Sequence, residues 1–122
     1  MKKTRTLVAL ALALFAVLAL SGCMLDAMEV GDTMGDFVLY ANTGAWGALQ
    51  QLTHTGAGDY ATADASFWET ALETYTPLIV GLTTDSSAIV TGGGATFTFT
   101  LMKDGDDMKI RIIMRGGTII FD

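Results

Sequence analysis

The chain has 122 residues, 51% of them hydrophobic and 16% charged, with seven Lys/Arg against thirteen Asp/Glu and one cysteine. That length holds one domain at ~100–150 residues per domain, a lone cysteine excludes an internal disulfide framework or a multi-cysteine zinc site, and a net charge of −6 argues against nucleic acid, whose phosphates need a basic face. The charge is also partitioned: Lys2, Lys3 and Arg5 sit in the first five positions, and every acid lies after residue 25.

Behind the cationic Met1–Thr6 segment, residues 7–20 are fourteen consecutive apolar side chains. As a helix they would cover roughly 21 Å, short of the ~30 Å hydrocarbon core, so length and flanks predict an export signal rather than a spanning helix. Leu20-Ser21-Gly22-Cys23 follows. Taken in order, the cationic segment, the apolar run and this tetrapeptide resemble the signal peptide and lipobox of bacterial lipoproteins. The resemblance implies a signal peptide over residues 1–22, cleavage between Gly22 and Cys23, and a diacylglyceryl group on the Cys23 sulfur, with acyl chains such as palmitate. The residue types fit that chemistry, because a thiolate is the nucleophile that takes up the lipid. Two or three acyl chains hold a protein stably where one is marginal. Met24 stands where the enterobacterial sorting pattern places an Asp to retain a lipoprotein at the inner membrane. The implied location is the cell envelope, at the outer membrane if the organism has two.

Residues 23–122 form the remaining single domain, with four basic and thirteen acidic side chains, a balance of −9. Anionic lipid head groups repel such a domain, so its expected membrane partner acts through the lipid on Cys23. Val30, Met34, Phe37, Ala41, Ala45, Ala48 and Leu52 recur at three- and four-residue steps and predict a helical apolar stripe. A break is expected at Asn42-Thr43-Gly44, with a second helical segment carrying Trp46, Leu49 and Leu52. His54–Gly58 reads as a loop, and Ala61–Tyr75 as a further helix ended by Pro77.

The period then changes. Residues 78–82 and 88–91 flank a turn at 83–87, and Gly92-Gly93-Gly94 reads as a flexible connection. Ala95, Phe97, Phe99 and Leu101 alternate with Thr96, Thr98, Thr100 and Met102, the two-residue period of a strand. After a turn at 104–107, Met108, Ile110, Ile112 and Met114 alternate with Lys109, Arg111, Ile113 and Arg115, and Gly116-Gly117 turns into 118–121. Helices followed by an antiparallel meander predict an α+β domain, with N-terminal helices packed on a curved antiparallel sheet.

The order Trp46-x-x-Leu49, Gly58-Asp-Tyr-Ala61, Phe67-Trp68, then Asp104-Gly-Asp-Asp107 and Ile119-Ile-Phe121 resembles small lipoproteins with an NTF2-like fold. The resemblance implies helices closing one side of a strongly bent sheet, a cone with a pocket. The chain departs from it in its short length and in the triple glycine.

The chemistry-bearing residues are few. His54 is the only histidine and so the candidate for proton transfer near neutral pH. The resemblance implies a use for it, since NTF2-like enzymes of the isomerase, dehydratase or cyclase type carry an Asp or a His–Asp pair inside the cone, here His54 and Asp59. The strands that would line a pocket offer no carboxylate except at turns, whereas general acid–base catalysis needs a titratable group within reach of the substrate. The acids of residues 104–107 lack calcium-loop spacing, with Arg115 where the loop's Glu would fall. The glycines of 92–94 lack the Lys-Ser/Thr of a phosphate loop and precede a strand, and Ser66, Ser86 and Ser87 lie outside any nucleophile-elbow context. No metal or cofactor is expected. Trp46, Tyr60 and Trp68 are expected in the core or at the mouth of an apolar pocket. Lys109, Arg111 and Arg115 make a basic stripe for a solvated face or an anionic ligand. The leading expectation is a lipid-anchored, non-enzymatic module that binds a small apolar ligand or another envelope protein; an NTF2-like enzyme using His54 and Asp59 is the alternative.

Overall fold

The computed structural model describes residues 25–122, so the signal segment, its cleavage site and Cys23 lie outside the described residues. Helix α1 runs through residues 25–43. Val30, Met34, Phe37 and Ala41 are its buried stripe, each at most 2% exposed. The helix stops at the expected place, and the structure supplies the reason. Gly44 adopts φ +75, its N–H donates to Ala41 O (3.3 Å), and the Ala45 N–H reaches back to Tyr40 O (2.8 Å). This left-handed glycine closure satisfies carbonyls that the helix end would otherwise orphan.

The expected second helix is instead two short 3-10 turns, Trp46–Ala48 and Gln50–Leu52. Leu49 and Leu52 are buried, but Ala45 is exposed and Ala48 half-buried, so the apolar stripe ends with α1. Thr53 then pairs in parallel with Ile110, and the His54 N–H donates to Ile110 O at 2.8 Å. Helix α2 spans Ala65–Leu72, shorter than the 61–75 expected. Asp64 begins it by accepting the Phe67 N–H on Oδ1 at 2.9 Å, an N-cap that holds residues 61–63 out of the helix. Beyond Leu72 the backbone tightens into a 3-10 turn, Glu73–Tyr75.

Five strands follow: β1 Ile79–Thr83, β2 Ser87–Gly92, β3 Ala95–Asp104, β4 Asp107–Arg115 and β5 Thr118–Phe121. They form one antiparallel sheet in sequential order. The last three hairpins turn in two residues, led by Gly93, Gly105 and Gly116 at φ 56, 65 and 59. Tight hairpins favour such positive φ because it matches the twist of the flanking strands. Gly93-Gly94 is therefore a fixed turn, correcting the flexible connection expected there.

Three bulges interrupt the ladder. Thr100 pairs with Ile112 and Leu101 with Ile110, which leaves Arg111 as an extra residue in β4. Ile120 is the extra residue in β5, and β1 gains one between Val80 and Thr83. An inserted residue slips the two-residue period and exchanges faces beyond it. The expected β4 alternation is thus corrected: Met108 and Ile110 are buried, and past the bulge Ile113 takes the inward position.

The sheet's inner face meets the helices in one aromatic cluster. Phe37 of α1 packs edge-on against Trp68 of α2 (5.7 Å between centroids) and Phe99 of β3 (5.1 Å), while Trp68 lies 5.3 Å from Phe121 of β5. These four rings and Phe97 are wholly buried. On the opposite sheet face Ile79, Leu82, Ile89, Met102 and Ile119 are exposed.

Candidate functional site

Two surfaces carry the candidate chemistry. The first lies where the start of α1 passes the β3–β4 hairpin. Lys103 bonds Glu29 and lies 3.6 Å from Asp26. The Glu29 hydrogen bond, helped by the charge of Asp26, holds the Lys103 ammonium above its ordinary pKa. Asp104 Oδ2 accepts both the Thr55 N–H (2.9 Å) and the Thr55 hydroxyl (2.7 Å). The backbone donor first and the hydroxyl second hold this carboxyl below its ordinary value.

Beside this clamp an open groove of about 290 Å³ runs between α1 and the edge of β4. Leu52 and Met108 form its apolar lining; Glu29, Asp32 and Asp36 line its helix side, with Asp107 and Lys109 opposite. Thr33 spans it, donating its hydroxyl to Met108 O at 2.9 Å. Helical spacing of the three acids was the sequence signal for this surface, but nothing in it showed that β4 would lie across from them.

His54 is held at both ring nitrogens by backbone. Nε2 lies 3.0 Å from Lys103 O, and Nδ1 accepts the Gly56 N–H at 2.9 Å. With Nδ1 accepting, Nε2 is the ring nitrogen that donates, to Lys103 O. Asp59 has a different partner, accepting the Asp122 N–H at 3.0 Å. The two residues thus fasten different parts of the sheet, His54 the β3–β4 hairpin and Asp59 the residue after β5.

Of the aromatic candidates, Trp68 is fully buried and its indole N–H donates to Ala63 O at 3.1 Å. Trp46 and Tyr60 are half-buried at the margin of the same core. The three basic candidates do not form a patch. Lys109 Nζ donates to Gln51 O at 2.6 Å, Arg111 pairs with Asp122, and the Arg115 guanidinium stacks 5.2 Å from the Tyr75 ring centroid. The bulge at Arg111 is what divides the stripe. Among the described residues no group of three or more His, Cys, Asp and Glu is placed to hold a metal ion, and no helix is long and apolar enough to cross a membrane.

The second surface is the open sheet face, which the sequence showed only as residues alternating with the core. Cross-strand pairing sets Ile89, Thr98, Met114 and Ile119 in one row across four strands, flanked by Thr91 with Thr96 and by Ser87, Thr100 and Ile112. None of these positions is charged.

Fold and site together define an α+β domain with an aromatic core under a helical layer and a sheet whose outward central rows carry no charge. Compared with known proteins, the chain matches no family model, no curated protein and no solved structure at a significant level.

Proposed function

We propose that this is an exported lipoprotein, tethered at the cell envelope through Cys23, whose domain binds another envelope protein through the open face of its sheet. The observation that carries the binding half is the uncharged row Ile89–Thr98–Met114–Ile119 on a surface otherwise rich in acids. Exposed apolar area rimmed by polar residues is the usual mark of a protein contact. The face is favoured over the edges because β1 and β5 both carry bulges, which twist an edge strand away from further pairing. A small apolar ligand is disfavoured on the other side of the sheet, where Phe37, Trp68, Phe97 and Phe99 fill the space. The engagement of His54 and Asp59 by separate backbone partners supports a non-enzymatic role. The NTF2-like reading of the domain is supported by helices preceding a bulged antiparallel sheet. The tethering half rests on the residue order Lys2 to Cys23, and an outer-membrane location on Met24.

Two experiments test it. Cys23→Ser is expected to give an uncleaved precursor without lipid, and incorporation of labelled fatty acid into that variant would refute the anchor. A photocrosslinker at Thr98, in intact cells, is expected to trap one discrete partner, lost in Ile89→Asp. A crosslinker at the exposed Glu69 of α2 is the control. Equal trapping from both positions, or none from Thr98, would sink the interface.

A further inference from the structure

Residues 25–28 of α1 expose two large apolar side chains, Leu25 at 58% and Met28 at 62%, three residues apart on one helix face. The two acids between and beside them are accounted for: Asp26 and Glu29 both meet Lys103, on the side turned toward β3. This stretch of the helix therefore shows solvent its apolar pair, while Asp26 and Glu29 lie at the surface against one cation.

Chain length fixes what lies next to it. Residue 23 precedes Leu25 by two residues, so their Cα atoms are at most about 7 Å apart, and Met28 is only about 4.5 Å farther along the helix axis. The inference rests on the lipoprotein reading. With acyl chains on Cys23, both side chains fall within the headgroup layer and the top of the hydrocarbon, the ~5–10 Å zone where interfacial apolar side chains bury. We infer that Leu25 and Met28 form a lipid-contacting foot: they insert into the bilayer surface beside the anchor and hold the domain with its β3–β4 hairpin toward the membrane. Lys103 offsets one of the two charges of Asp26 and Glu29, which lowers the negative charge beside the apolar pair in an otherwise acidic domain. Leu39 provides an internal contrast. It is equally exposed, at 57%, on the same helix, but fourteen residues on, roughly 21 Å farther from the anchor.

The test uses the full lipidated chain, reconstituted in phosphatidylcholine vesicles, with a single environment-sensitive dye on Met28→Cys or on Leu39→Cys. Intact mass establishes the lipid on Cys23 in each. The expected result is a blue-shifted emission at position 28 that a lipid-borne quencher reduces severalfold, with position 39 quenched only by an aqueous reagent. A label at 28 as open to the aqueous quencher as the label at 39, in protein carrying its lipid, overturns the inference while leaving the lipoprotein reading intact. An unmodified Cys23 overturns that reading, and the inference with it.

Discussion

Asn42, near the end of α1, grips both backbone groups of Leu78: its Nδ2 donates to Leu78 O at 2.9 Å and its Oδ1 accepts the Leu78 N–H at 2.7 Å. A side-chain amide thus does for Leu78, at the entry to β1, what a neighbouring strand would do. Leu78 is 2% exposed while Asn42 itself lies at the surface, so both bonds are part-buried. Asn42→Ala is expected to lower stability by about 1–2 kcal/mol, the net worth of two hydrogen bonds that water replaces in part. Asn42→Asp does not restore it, since one carboxylate oxygen would face the Leu78 carbonyl. Urea denaturation of the three proteins checks this; an unchanged midpoint in Asn42→Ala would show that the pair contributes nothing net.

Two glycines should respond to alanine in opposite directions. Gly35 lies within α1 and a Cβ there would meet nothing within 4 Å, so Gly35→Ala is expected to stabilise by up to ~1 kcal/mol through helix propensity. At Gly92 a Cβ would lie 2.4 Å from Tyr75 O, with Pro77 O at 3.1 Å. Both are backbone atoms and cannot swing aside, so Gly92→Ala is expected to cost more than ~2 kcal/mol or to abolish folding. Thermal melts separate the cases, and a Gly92→Ala protein as stable as the parent would contradict the close approach of the 75–77 segment to β2.

The Asp104 carboxyl predicts a limb of acid destabilisation. Its folded pKa lies below the ordinary value of 3.8 because Thr55 donates twice to the charged form. In acid the unfolded chain therefore binds the proton first, and stability rises with pH. The contribution is present above the unfolded value and is lost as pH falls through the folded one. Urea midpoints of the parent should fall below about pH 4, and Asp104→Asn should show a shallower fall over that range. Lys103 has the opposite sign: raised by Glu29 above 10.5, it contributes below that value and is lost as pH climbs through the higher folded one. An identical acid profile in Asp104→Asn would remove the carboxyl as its source.

Much of this architecture could be read from the residues. The stripe Val30–Met34–Phe37–Ala41 and the strict alternation through β3 are local patterns, and α1 and β3 lie where those periods predict. The bulges were not legible, because an extra residue such as Arg111 is defined only by what stands opposite it in the neighbouring strand. For the same reason Lys109, Arg111 and Arg115 read as a stripe yet separate in space. The shortening of α2 was within reach: Asp64 is a good capping residue four places before Trp68, and the apolar period overrode it. The grip of Asn42 on Leu78 and of His54 on Lys103 joins residues 36 and 49 positions apart, a relation no single-chain period encodes. The groove beside α1 was missed, because Glu29, Asp32 and Asp36 recur at helical spacing without any local sign of the strand that faces them.

The two faces of the sheet make the sharpest stability contrast. Phe99 is wholly buried and touches the Phe37 ring at 5.1 Å between centroids. Phe99→Ala would remove a ring from the junction of α1 and β3 and is expected to cost ~3–5 kcal/mol, the transfer and cavity terms together. For a domain of this size that is a large part of a total of ~5–15 kcal/mol. Ile89 lies on the open face, 39% exposed, directly opposite Thr98. Ile89→Ala should cost under about 1 kcal/mol, through lost strand propensity and cross-strand contact alone. If this face is a binding surface, Ile89→Ala should nonetheless weaken the partner crosslink from Thr98 at a protein concentration where folding is unaffected. Matched loss of stability from both alanines would mean that the outer face packs as part of the core, and that the uncharged row has a structural rather than a binding role.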